Sequence, residues 1–143
     1  MDRMQPQNFT AATYTLTAEG NSGTTINLNR AAGITCTLPA SDGKGSTFEF
    51  FVGTTVTSNS NIIKVANSTD VMAGVAIAAQ DAGDTAVIFE TAAASDTITL
   101  NGSTTGGIRG DRIILKDVAS GVWSVNIVMS GTGTEATPFS ATV

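Results

Sequence analysis

The amino-acid sequence predicts an all-β fold in one domain, a β-sandwich of roughly nine or ten strands. Three observations predict it. Nearly every periodic stretch alternates apolar and polar residues with period two, the pattern of a strand with one face on a core. Turn-forming clusters of Gly, Asn, Ser and Asp interrupt those stretches about every 8–12 residues, the spacing of short strands in a sandwich or barrel. Charged residues make up only 13% of the 143-residue chain, against about 25% in an average soluble domain. Thr, Ser, Asn and Gly supply the missing polarity, and these residues suit strand surfaces and turns.

Residues 1–12 carry Gln5, Pro6, Gln7 and Asn8 and read as a flexible N-terminal arm. The sandwich domain is expected over 13–129. Within it, Thr13-Tyr14-Thr15-Leu16-Thr17, Thr25-Ile26-Asn27-Leu28-Asn29, Ile34-Thr35-Cys36-Thr37-Leu38 and Thr97-Ile98-Thr99-Leu100-Asn101 alternate strictly. Phe48, Phe50 and Val52 share one strand face, with Glu49 and Phe51 on the other. Ile62–Val65, Thr85–Phe89 and Arg112–Lys116 are more continuously apolar and read as strands buried on both sides. Trp123, Val125 and Ile127 fall together on a last strand. The Ala-rich stretch 73–82 is the one place that admits a helix. Gly74, the β-branched Val75 and Ile77 and the lack of caps favour a strand instead. Residues 130–143, rich in Gly and Thr, read as a C-terminal arm.

Forty-one per cent apolar residues in a chain of this length suffice for a core without metals or disulfides. Seven basic against twelve acidic residues give a net charge of -5, which leaves no electrostatic footprint for nucleic acid or for an anionic membrane surface. No apolar run reaches the roughly 18 residues of a membrane span, and none of signal-peptide length follows Met1.

The chain has no histidine. Ser-His-Asp and Cys-His nucleophilic systems are therefore excluded, as are nearly all catalytic zinc sites. The single cysteine, Cys36, lies between Ile34 and Leu38 on an apolar strand face, where a thiol is inert. Ser41-Asp42-Gly43-Lys44-Gly45-Ser46-Thr47 departs from a phosphate loop, because Gly45 rather than Ser or Thr follows Lys44 and position 38 is Leu38. It reads as a hairpin turn. Asp81 and Asp84, with Asp70, are the weak candidates for Ca²⁺, but EF-hand spacing is absent. Glu19 falls in a turn and Glu135 in an arm, so no acid/base pair stands out. Asn8, Asn67 and Asn101 begin glycosylation-type triplets of the kind chance produces in such a composition. No catalytic residue, metal or cofactor is expected.

The order of several segments carries a resemblance. These are Ala31-Ala32-Gly33-Ile34-Thr35-Cys36-Thr37-Leu38-Pro39, Gly45-Ser46-Thr47-Phe48-Glu49-Phe50-Phe51-Val52-Gly53, Gly110-Asp111-Arg112-Ile113-Ile114-Leu115 and Gly121-Val122-Trp123-Ser124-Val125. Together, over roughly residues 13–128, the chain resembles the small β-rich virion proteins of tailed phages, of the capsid (head) decoration type. The resemblance implies a jelly-roll-like sandwich on the outer capsid surface of a virion. It implies a homotrimer or single copies that clamp adjacent major capsid subunits. The alternative is a tail-fibre or surface module of the virion that binds a carbohydrate or receptor. The expected contact residues are Pro6 and Phe9 in the first arm, Pro138 and Phe139 in the second, and Phe51, which faces away from Phe48 and Phe50. The sheet edges are expected to be protected either by the trimer or by Lys64 and Lys116 alone.

Overall fold

The computed structural model describes residues 5–143; positions 1–4 of the expected N-terminal arm lie outside them. Twelve strands run in chain order: β1 (Gln7–Phe9), β2 (Thr13–Thr15), β3 (Thr25–Leu28), β4 (Thr35–Thr37), β5 (Thr47–Val52), β6 (Asn61–Lys64), β7 (Val71–Gln80), β8 (Ala86–Glu90), β9 (Thr97–Leu100), β10 (Arg112–Ala119), β11 (Val122–Gly131) and β12 (Phe139–Ser140). The Ala-rich stretch is the long strand β7. One short helix, α1 (Ala18–Asn21), stands where a turn was expected. Thr17 caps it by accepting the Gly20 amide at 3.0 Å, and the Asn21 side chain accepts the Thr17 amide at 2.9 Å.

The strands form two facing sheets. Sheet A has the order β1-β3-β5-β10-β11-β7-β8 and sheet B the order β12-β9-β6-β4-β2. The all-β sandwich is as expected, but its connectivity is not that of a jelly roll, which is built from antiparallel Greek keys. The pairings β1–β3, β3–β5, β2–β4, β4–β6 and β7–β11 are parallel. From β1 to β6 the chain crosses from one sheet to the other at every step, so strands that become neighbours run the same way. Residue periodicity reports which face a side chain takes and is silent on which strand lies alongside. The corners of this winding stack closely. Gly33, before β4, has φ +79, and a Cβ there would sit 2.2 Å from the Ser60 carbonyl oxygen, before β6.

One core fills the space between the sheets. Ile26, Leu28, Phe48, Phe50, Ile113, Leu115, Trp123, Val125 and Ile127 come from sheet A and meet Cys36, Ile63, Ile98 and Leu100 of sheet B. Trp123 packs on Phe48 with ring centroids 5.7 Å apart.

The two expected arms are parts of this fold over the described residues. β1 pairs with β3, and Phe9, 6% exposed, stacks on Tyr14 with centroids 3.7 Å apart. β12 pairs with β9, and Phe139, 7% exposed, belongs to the core. Neither of these short strands lies in a longer alternating stretch, as the three-residue β2 and β4 do, which is why these two were read as arms. Three other readings change. β6, β8 and β10 are not buried on both sides; they alternate, with Ile62 half-buried on the outside of sheet B and Ile88 and Ile114 outward on sheet A. Lys64 and Lys116 lie on interior strands, so they guard no edge. The Ser41–Gly45 turn joins a strand of sheet B to one of sheet A and is not a hairpin.

Candidate functional site

The polar residues of the interior are committed to the backbone. Asp117, 2% exposed, accepts the amides of Asp42 at 2.8 Å and Gly43 at 3.0 Å, and the Ser41 hydroxyl at 2.8 Å. Asp70 accepts the Ser41 amide at 2.8 Å. Two acids, Asp117 on β10 and Asp70 before β7, therefore hold the Ser41–Gly43 turn. Asp111 accepts the Gly107 amide at 2.8 Å, the Ile108 amide at 3.1 Å and the Ser130 amide at 2.9 Å. Burial pushes its carboxyl up, against the pull of those three amides. Asp70 is one end of β7 away from Asp81 and Asp84, about 30 Å of extended chain, so these three do not meet. Among the described residues no three His, Cys, Asp or Glu side chains are placed to hold a metal ion.

Cys36 is fully buried, and burial pushes its thiol up to about 12. It stays protonated and unreactive at neutral pH. Two of the glycosylation-type triplets are turns. Asn67 Oδ1 accepts the amides of Thr69 and Asp70, and Asn101 Oδ1 accepts those of Ser103 and Thr105.

Asp96 ties down the C-terminus. Its carboxylate accepts the Thr142 amide at 2.8 Å, the Val143 amide at 3.2 Å and the Thr97 hydroxyl at 2.7 Å. Burial raises the carboxyl, but these three donors outweigh it and hold it below its ordinary 3.8. A carboxyl depressed in the folded state stabilises the fold above its unfolded value, and that contribution disappears as pH falls through the folded one. Acidification is therefore expected to leave the Thr142 and Val143 amides protected from exchange above about pH 4 and to release them at pH values below 3.8. Amide exchange followed by NMR checks this, and Asp96→Asn should abolish the pH dependence at those two positions.

The expected contact residues do not form one surface. Phe9, Pro138 and Phe139 are buried within the chain, Pro6 is exposed, and Phe51 is half-buried on the outer face of sheet A. Of the five, Phe51 leads to the feature that sequence reasoning missed. The register across sheet A places Asn27, Phe51, Arg112, Val128, Ile77 and Ile88 in one outward row. The next row holds Ile114, Asn126, Val75 and Glu90.

Seven large apolar residues are exposed among the described residues, and six of them share this face: Val75, Ile77, Ile88, Ile114, Val118 and Val128. Scattered exposed apolar residues are ordinary, whereas a contiguous patch marks a contact surface. The outward residues of β11 and β7 are Ser124, Asn126, Val128 and Ser130, then Ala73, Val75, Ile77 and Ala79, with no charge among them. On β10 the charges alternate with apolar residues, Arg112, ion-paired with Glu49, and Lys116 flanking Ile114; the apolar centre is therefore Val128, Val75, Ile77 and Ile88, with Glu90 on its far side. An apolar centre inside a polar rim is how protein–protein interfaces are arranged. The opposite face of the sandwich differs. There Thr13, Thr15, Thr35, Thr37 and Thr99 line the outside of sheet B. The signal for the apolar face was present in Ile114, Val128, Ile77 and Ile88, but an apolar run does not reveal that its second side is left uncovered.

The chain matches no protein-family model, no curated protein and no solved structure.

Proposed function

We propose that this chain is a structural protein of a virion that decorates the outer capsid surface and stabilises contacts between major capsid subunits. The observation that carries the proposal is the charge-free apolar face on β7 and β11, bordered by Arg112, Lys116, Glu49 and Glu90. The resemblance of the ordered segments to phage decoration proteins supports the same reading. A surface with few charges is buried against a partner with little desolvation penalty. The outer face of sheet A is the surface that meets the capsid or a neighbouring copy, in place of the terminal arms.

Cryo-electron microscopy of the purified particle tests the proposal. Density for this chain bridging capsid subunits on the head is the expected result; density confined to the tail would replace it with a receptor- or glycan-binding role. A variant locates the contact. Val128→Glu changes a residue that is 62% exposed, so its stability should stay within about 0.5 kcal/mol of the parent. Its binding to particles is expected to fall at least about tenfold, since the contact must then desolvate a third charge beside the existing Arg112–Glu49 pair. Thr35→Glu, on the opposite face, should leave particle binding unchanged. Co-sedimentation with particles lacking the protein reads both.

A further inference from the structure

The four sheet edges are not alike. β1 and β2 have three residues each and β12 two, and edges this short offer little to pair with. β8 has five, Ala86–Glu90, and carries no lysine, proline or bulge, the usual protections of an edge. Its free backbone groups follow from its register. The Gln80 amide donates to Thr85 at 2.9 Å and the Thr91 amide to Gly74 at 3.0 Å, so the odd-numbered residues of β8 face β7. By the alternation of an antiparallel ladder, Ala86, Ile88 and Glu90 turn their N–H and C=O groups away from it. Nothing else among the described residues bonds to them.

We propose that β8 pairs antiparallel with β8 of a second copy across a two-fold axis at Ile88, joining the two A sheets into one. A two-fold contact needs a self-complementary patch, and this edge is one. With Ile88 opposite Ile88 of the other copy, Ala86 lies opposite Glu90, and all three outward residues of each strand are paired, giving about six backbone hydrogen bonds. The half-buried Val87 and Phe89 then face Phe89 and Val87 of the other copy, two aromatic–β-branched cross-strand pairs. The charges and the strand ends together select this register: a shift of two residues that sets Ile88 against Glu90 meets no like charge but leaves Ala86 opposite Ala92, beyond the strand. A shift of two residues one way sets Glu90 against Asp84 of the other hairpin, and a larger shift the other way sets Glu90 against Glu90. In the centred register Asp81 and Asp84 approach only the exposed, uncharged Ala92, Ala93 and Ala94. The outward row continues across the axis as Val128, Ile77, Ile88 and then the same residues in reverse, which doubles the length of the apolar face.

The pairing is independent of the capsid reading: a dimer that fails to bind particles, or a monomer that binds them, separates the two. Sedimentation equilibrium of the full chain is expected to show a monomer–dimer equilibrium. A monomer at every concentration, or a trimer, overturns the proposal. Ile88→Cys is the positional test. Residues opposite one another in a hydrogen-bonded pair have Cα atoms about 5.5 Å apart, within the disulfide range of about 4.4–6.8 Å. Mild oxidation is expected to cross-link Ile88→Cys far faster than Val128→Cys, which is similarly exposed but lies off the edge. Equal rates overturn the proposal. Ala86→Lys tests the register, because it faces Glu90 of the other copy. Dimer affinity is expected to rise about two- to five-fold per pair; an unchanged or weakened dimer rules this register out. Ile88→Lys puts like charges together on the axis and is expected to yield monomer, with an unfolding transition matching the parent's at concentrations where the parent is itself monomeric.

Discussion

Replacing Trp123 by alanine is expected to cost about 3–5 kcal/mol, the range for removing a large aromatic from a well-packed core. Trp123 is fully buried on β11, one of the central strands of sheet A, and packs on Phe48 of β5 across β10. Its loss opens a cavity between strands that are tied into the ladder on both sides, so the walls cannot collapse into it. Against a total stability of about 5–15 kcal/mol for a domain of ordinary size, this removes much of the margin. Urea unfolding followed by circular dichroism should show the midpoint falling with the slope unchanged. Trp123→Phe is expected to cost clearly less, for two reasons. It keeps an aromatic ring against Phe48, and it removes the indole N–H, which is buried without an acceptor.

Asp117→Ala is expected to be the second most damaging change, at about 2–4 kcal/mol, because hydrogen bonds to a charged acceptor contribute about 1.5–3 kcal/mol each and are not additive. The carboxylate holds Ser41, Asp42 and Gly43 in the turn that carries the chain from β4 to β5. Without it, the Asp42 and Gly43 amides lose their acceptor, while the Ser41 hydroxyl keeps the Ala119 carbonyl. Asp117→Asn separates this account from simple loss of volume. An amide oxygen at the Oδ1 position keeps the Ser41 and Gly43 donors, and its NH₂ then opposes the Asp42 amide. The expected order of urea midpoints is Asp, then Asn, then Ala. Equal values for Asn and Asp would show that the donors do not stabilise the turn.

The ten strands from β2 to β11 were legible because each lies in a stretch long enough to show which side is apolar; even the three-residue β2 and β4 sit within the alternations that run from Thr13 to Thr17 and from Ile34 to Leu38. Thr35-Cys36-Thr37 and Phe48-Glu49-Phe50 are such cases: the buried residue of each alternation is the one the period marks. Burial of Cys36 followed directly from the same rule. β1 and β12 were not legible, since Phe9 and Phe139 stand alone in polar surroundings and nothing local says that each inserts into a core assembled from distant strands. The apolar face was half legible. Phe51 was visible as a residue pointing the wrong way for the core, but its row-mates Val128, Ile77 and Ile88 come from strands far along the chain. The four buried acids Asp70, Asp96, Asp111 and Asp117 were not legible as turn anchors, because each accepts at least one backbone donor that is distant in sequence or set by loop conformation.

By itself the sequence determined the class of the fold, the inward face of the longer strands and the chemistry that is out of reach. Those properties depend on residue type and on a period of two, which are local. Tertiary structure alone decided the parallel winding of β1 to β6, the enclosure of both terminal segments, the uncovered outer face of sheet A and the unprotected edge at β8. Each of these depends on which strand lies beside which, and a period of two is the same whichever neighbour a strand acquires.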